Sequence, residues 1–171
     1  LHIIYCNKIT IENSIFESSK FDSVDIDISK NININNTKIK NSGNDAIDTM
    51  ESEVNIYNSF LYNSKDKGIS VGENSNVKVI KTILKDNDVG LASKDNSFAM
   101  VSNSIFDSNN FQLEAYSKNL QYGAPGKINL NNSKLIAKQN IVTSKDNAVI
   151  IINKSEVQGD LKKTGKVNII E

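Results

Sequence analysis

Apolar and polar residues alternate along this chain in short runs, and the runs recur at a nearly fixed interval. Val54–Ile56 shows the unit: two apolar positions flank a polar one, the period-two pattern of a strand with one buried face. A polar corner follows at Asn58-Ser59, and Leu61 turns back inward. Aligned on the small hydroxyl residue, the copies fall at Ser14, Thr37, Ser59, Thr82, Ser104, Ser133 and Ser155, in steps of 23, 22, 23, 22, 29 and 22 residues. Five positions before the hydroxyl stand Ile9, Ile32, Val54, Val77, Ala99, Ile128 and Ile150; three before stand Ile11, Ile34, Ile56, Val79, Val101, Leu130 and Ile152. Two after it stand Phe16, Ile39, Leu61, Leu84, Phe106, Leu135 and Val157. Every one is apolar. A fixed period of this length marks a repeat architecture, in which one coil cannot bury its apolar face alone and stacked coils form a continuous core.

The residue before the hydroxyl is Asn13, Asn36, Asn58, Lys81, Asn103, Asn132 and Lys154. Asn tolerates left-handed backbone and its amide can bond locally. Stacked at one corner, these amides are expected to bond from coil to coil as a buried asparagine ladder. A second strand follows about ten residues after the hydroxyl: Val24–Ile26, Ile47–Thr49, Ile69–Val71, Leu91–Ser93, Leu113–Ala115 and, in the sixth coil, Ile141–Thr143.

Coils of this length with Asn-Ser/Thr corners resemble the right-handed parallel β-helix of the pectate-lyase-like superfamily. The stretches Asn41–Asp48 (NSGNDAID) and Asp66–Glu73 (DKGISVGE) resemble the β-helix repeats of bacterial secreted and surface proteins. The resemblance covers the whole chain and implies an all-β solenoid of about seven coils. It is a match of fold and carries no catalytic residue by itself. It implies secretion or a place on the cell surface, with a polysaccharide or glycan as partner.

At 171 residues the chain reads as one domain, 1–171. The run Leu1–Cys6 starts in mid-strand and Val167–Ile170 ends strand-like, without the polar caps of a finished solenoid. The expectation is a piece of a longer β-helix, with flanking parts of its own chain as partners. The 20 basic residues, all Lys, balance 20 acidic ones, and no basic stripe is present, which argues against nucleic acid. No run is long and apolar enough for a membrane span. The one break in period, Ser117–Gly126, holds the only Pro and two of the eight Gly and reads as an inserted loop. The Asn-X-Ser/Thr triplets all fall on the repeated corner and are explained by it.

Candidate chemistry lies in columns, because stacked coils sit about 4.8 Å apart. The outward column of the second strand reads Asp25, Asp48, Ser70, Ala92, Glu114, flanked by Asp22, Asp27 and Asp45. Asp25, Asp45 and Asp48 are the candidate ligands for Ca²⁺, which takes several oxygen donors. Some β-helix lyases resemble this arrangement, with a calcium-bearing aspartate cluster beside an unprotonated lysine base; Lys65 and Lys67 are the counterparts here. Ser70, Glu114, Tyr116 and Tyr122 are the candidate substrate-binding residues, with the loop walling one end of the groove and the tyrosines forming an aromatic platform. Two carboxylates among Asp25, Asp45 and Asp48 also allow hydrolysis of a glycosidic bond. A triad needs a histidine, and His2 is the only one, at a frayed end. A separate stripe, Phe60, Ile83 and Ile105, is apolar and outward. With no intact catalytic motif, the leading reading is a non-catalytic β-helix that displays or binds glycans. The alternatives are a calcium-dependent lyase or hydrolase on acidic polysaccharide, and a passive spacer.

Overall fold

A computed structural model describes residues 1–170. The chain winds into a right-handed parallel β-helix, the sense that parallel crossovers adopt. Three ribbons of parallel strands run along it. The first holds His2–Ile4, Val24–Asp27, Ile47–Met50, Lys67–Gly72, Val89–Lys94, Phe111–Tyr116 and the later half of Lys134–Ser144. The second holds Thr10–Glu12, Ile32–Asn35, Glu53–Tyr57, Asn76–Ile80, Phe98–Ser102, Lys127–Asn131, Val149–Asn153 and Val167–Ile170. The third holds Ile15–Glu17, Lys38–Lys40, Phe60–Tyr62, Ile83–Lys85, Ile105–Asp107, the earlier half of Lys134–Ser144, and the start of Glu156–Thr164. The one helical element is a short turn at Leu120–Tyr122, and no helix among the described residues is long and apolar enough to cross a membrane.

The apolar columns of the sequence are files in the core. Phe16 pairs with Ile39, Ile39 with Leu61, Leu61 with Leu84, Leu84 with Phe106, Phe106 with Leu135 and Leu135 with Val157. The five inner members are at most 1% exposed, and Phe16 and Val157 pack on the same core from either end. The two files of the second ribbon are in register in the same way.

The corner between second and third ribbons is held differently from expectation. Asn13, Asn36, Asn58, Asn103 and Asn132 are all left-handed, with φ between 46 and 51°, and Lys81 and Lys154 share that conformation. Their amides form the expected ladder over the first three coils, but in solvent rather than buried. Asn36 Nδ2 reaches Asn13 Oδ1 at 2.6 Å and Asn58 Nδ2 reaches Asn36 Oδ1 at 3.5 Å, both in solvent. The buried ladder belongs to the hydroxyl next door. The Thr37 N–H donates to Ser59 Oγ, Ser59 N–H to Thr82 Oγ1, Thr82 N–H to Ser104 Oγ, Ser104 N–H to Ser133 Oγ and Ser133 N–H to Ser155 Oγ. Each hydroxyl then donates to the carbonyl two residues back in its own coil, as Thr82 does to Ile80.

The sixth coil also departs from expectation. Val142, Thr143 and Ser144 face Leu113, Glu114 and Ala115, one residue later than Ile141–Thr143. From the fourth coil on, the chain spends nine residues rather than ten between hydroxyl and first-ribbon strand, so Val142 points into the core and Ile141 is half-buried.

Two outcomes check this architecture. Leu61→Ala opens a cavity in a file with no exposed neighbour and is expected to cost about 2–5 kcal/mol in denaturant unfolding. At the corner, Asn58→Ala forces a Cβ-bearing residue without a local hydrogen bond into left-handed backbone and is expected to cost about 1–2 kcal/mol. Asn58→Gly recovers most of that loss. Equal losses for the two variants would assign the stability to the amide instead.

Candidate functional site

The first ribbon brings the predicted outward column into register: Asp25 faces Asp48, Asp48 faces Ser70, Ser70 faces Ala92, and Ala92 faces Glu114. The column is not uniformly open. Ser70 is fully buried, because Lys94 lies across it with Nζ 3.1 Å from Ser70 Oγ. Lys94 fits there because Gly72 beneath it has no side chain; a Cβ at Gly72 would come within 2.5 Å of Lys94 Cε. Ser70 is therefore out of reach of a ligand while Lys94 stays in place.

The sequence-predicted acidic residues divide into two groups. Asp22 Oδ1 accepts the Asp45 N–H at 2.8 Å, and Asp45 Oδ1 accepts the Lys67 N–H at 2.8 Å, so these carboxylates brace successive coils. Asp45 is 3% exposed and turned toward Lys67, which takes it away from Asp25 as an ion ligand. Asp25 and Asp48 stay half-buried on adjacent strands. Asp48 Oδ1 accepts the Thr49 N–H. Burial, and then the neighbouring Asp27, push the Asp25 carboxyl above its ordinary pKa. Among the described residues, the ligand atoms that lie within 4.8 Å of one another belong to Asp25, Asp27 and His2, and neither Asp45 nor Asp48 joins that group. His2, set aside from sequence as an end residue, stands in this column opposite Asp25. Its Nε2 lies 2.9 Å from Asp27 Oδ2 and 3.7 Å from Asp25 Oδ2.

Lys67 gathers the second group. Its Nζ is 3.7 Å from Asp45 Oδ1 and 2.5 Å from Asp66 Oδ2, and its side chain is 11% exposed. Burial opposes the ammonium charge, but Asp45 and Asp66 outweigh it and raise the Lys67 pKa. The amine is accordingly a held cation, where the lysine-base scheme needs it unprotonated. Burial pushes Asp45 up to about 6, with Lys67 pulling partly the other way. Burial raises the pKa of Glu114 and of Tyr116, which stand in register with Ala92 and Lys94 on the neighbouring strand. Lys65 is exposed in the corner and makes no ion pair among the described residues.

The inserted loop leaves after Tyr116 and returns to it, since the Gly126 N–H donates to the Tyr116 carbonyl at 3.0 Å. Asp95 Oδ1 fixes it by accepting the N–H groups of Lys118 and Asn119 at 2.6 and 2.7 Å, and Ser117 N–H donates to Asp146. Gly126 passes so close to Ser93 that a Cβ would meet its carbonyl oxygen at 2.0 Å. Tyr122 rides the short helical turn, half-buried. Its ring forms no stack with Tyr116; the one stacked aromatic pair among the described residues is Phe60–Tyr62, on the third ribbon at 4.7 Å. Sequence reasoning also missed a buried amide chain at the corner before the first ribbon. Asn87 Nδ2 donates to Asn109 Oδ1, Asn109 Nδ2 to Gln112 Oε1 and Gln112 Nε2 to Asn140 Oδ1. Gly68 and Gly90 leave room for it, as a Cβ at either would come within 3.0 Å of an Asn Nδ2.

Asp45 gives a pH test. Its folded pKa, about 6, lies above the ordinary 3.8, so the folded chain holds this proton more tightly than the unfolded one. The stability from that proton is complete below the ordinary value and is lost as pH rises through about 6. The melting temperature of the native chain minus that of Asp45→Asn is expected to fall across this window. A difference that stays flat overturns the assignment.

The fold can be set beside known proteins. An alginate lyase from Paenibacillus sp. str. FPU-7 superposes with a TM-score of 0.62 at 12% identity, covering 98% of this chain and 75% of that one. The surface protein and adhesin PfbA of Streptococcus pneumoniae is similar at 12% identity and a TM-score of 0.41, over 99% of this chain and 68% of that one. No curated protein matches the sequence. The family described as the right-handed beta helix region matches residues 1–161. With the coil register and the corner geometry in agreement, the chain belongs to the right-handed β-helix family.

Proposed function

We propose that this β-helix is a non-catalytic domain of a secreted or surface protein and binds an acidic glycan on its first ribbon. The observation that carries the reading is Lys67, a half-buried ammonium held charged by Asp45 and Asp66 on the ribbon that also carries Glu114 and Tyr116. A fixed cation pairs with a uronate carboxylate, the Glu114 carboxylate accepts from sugar hydroxyls, and the Tyr116 ring offers an apolar face with a polar tip. The loop anchored on Asp95 bounds this patch and carries Tyr122.

A second reading, a calcium-dependent polysaccharide lyase or a glycoside hydrolase, is favoured by Asp45, whose carboxyl titrates near 6 beside an amine. Ca²⁺ held by Asp25 and Asp27, with Asp48 on the next strand, would supply charge next to a uronate carboxylate. Against it stand the burial of Asp45 and the charge on Lys67.

Calorimetric titration with acidic oligosaccharides decides between them. Binding is expected without turnover, and Lys67→Ala is expected to weaken it by about tenfold or more, the loss of one charge-assisted hydrogen bond. Tyr116→Ala weakens it as well. Growth of unsaturated-uronate absorbance that depends on Ca²⁺ would establish the lyase. Neither heat nor absorbance with any acidic glycan leaves a passive spacer.

A further inference from the structure

A groove lies away from Lys67, on the second ribbon. It has a volume of about 350 Å³ and runs across the strands, along the helix axis. Register sets its walls. Glu53, Asn76 and Phe98 face one another from coil to coil on one side; Asn55, Lys78 and Met100 do so on the other. Val54 and Val77, whose side chains turn into the core, supply the floor.

We propose that this groove is a separate saccharide site, for a linear glycan without net charge lying along the helix axis. Four features select that ligand. First, the groove's wall positions succeed one another at the spacing of the coils, about 4.8 Å, in two rows along the axis, so the matching ligand is an extended chain. Second, the walls offer amides with free capacity. Asn55 Nδ2 is tied to Asn33 Oδ1 at 3.2 Å, but its Oδ1 has no partner, and the Asn76 amide has none at either end among the described residues. Donors and acceptors side by side are what a hydroxyl, itself both, requires. Third, the half-buried Phe98 ring and the Met100 thioether, whose residue is 41% exposed, give an apolar surface for the face of a sugar ring. Fourth, the lone cation Lys78 is answered by Glu53 across the groove, so the lining does not favour an anionic ligand.

The same geometry disfavours an extended peptide. The strands under the groove are paired on both sides, so no backbone edge is open for strand addition. The inference shares with the first-ribbon reading only the class of ligand, glycan; it uses other residues and another face.

The test uses the full chain, labelled with ¹⁵N, and cello-, manno- and xylo-oligosaccharides as probes. Saturable shifts are expected at the Asn55 and Asn76 side-chain amides with at least one of them. Phe98→Ala is expected to weaken that binding by about tenfold, the loss of one aromatic platform. Asn76→Ala weakens it too. Both positions lie on the surface or half-buried, and a melting curve confirms that each variant folds. An acidic oligosaccharide, the probe for the Lys67 patch, is expected not to compete. Absence of saturable shifts at these amides with every neutral probe overturns the groove, as does unchanged affinity in Phe98→Ala. Shifts around Lys67 with acidic probes, together with none at these amides with any neutral probe, overturn the groove and leave the first-ribbon reading intact.

Discussion

Everything in this molecule depends on each coil answering the backbone of the next. A strand in the middle of the stack donates to and accepts from both neighbours, alternate residues turning to opposite sides, as the Val24 N–H bonds to Ala46 of the next coil and the Asp25 N–H to Leu1 of the one before, and the register must repeat after each circuit of the chain. Even the corners keep to this: the left-handed Asn36, Asn58 and Lys81 donate their N–H groups to Tyr57, Ile80 and Ser102 of the following coil at 3.0 to 3.1 Å. Left-handed backbone at one residue turns the chain sharply without breaking the lateral bond. The hydroxyl beside it then takes up the next N–H, which a right-angled corner would otherwise strand. Burial of the apolar files follows from this closure, since the files exist only when the coils are in step.

The polar chemistry is arranged around the same constraint. On the first ribbon, Asp22 and Asp45 spend their oxygens on the N–H groups of the next coil, and Lys67 is drawn in to balance the buried carboxylate that results. Charge on this face is therefore a by-product of coil bracing as well as a resource for binding. On the second ribbon the five-residue strands of the middle coils pair in unbroken register, and the outward positions around the groove are left to amides, the Phe98 ring, Met100 and one charge of each sign. One solenoid thus presents faces of different polarity along the same axis.

The apolar columns were legible because burial on a strand is dictated by residue type and parity, and nothing else on the chain has a period of that length. The outward column from Asp25 to Glu114 followed from the same parity. What could not be read was which polar residue goes inside. Asn58 and Ser59 are both small and polar; only the left-handed turn decides that the amide points to solvent and the hydroxyl to the interior. Asn87, Asn109, Gln112 and Asn140 form one buried chain, yet their spacing along the sequence is irregular, and such residues read as solvated corners. Ser70 sits where parity puts it, but the reach of Lys94 across a glycine decides its exposure. The proximity of Lys67 to Asp45 was legible; its charge state was not, because it depends on how deeply both are buried.

The loop from Ser117 to Gly126 does the work of the three-residue turn Asp95–Ser97 in the coil before, with its ends bonded to each other at Tyr116. Strands on either side keep their partners, Phe98 with Lys127 and Tyr116 with Lys94. Length at this corner is thus decoupled from the rest of the stack, and lengthening a closed loop costs little entropy. The corner is a socket: segments of other lengths and compositions can be grafted between Tyr116 and Gly126, provided that they end on a residue small enough to slip past Ser93 and offer N–H groups to the buried Asp95 in place of those of Lys118 and Asn119.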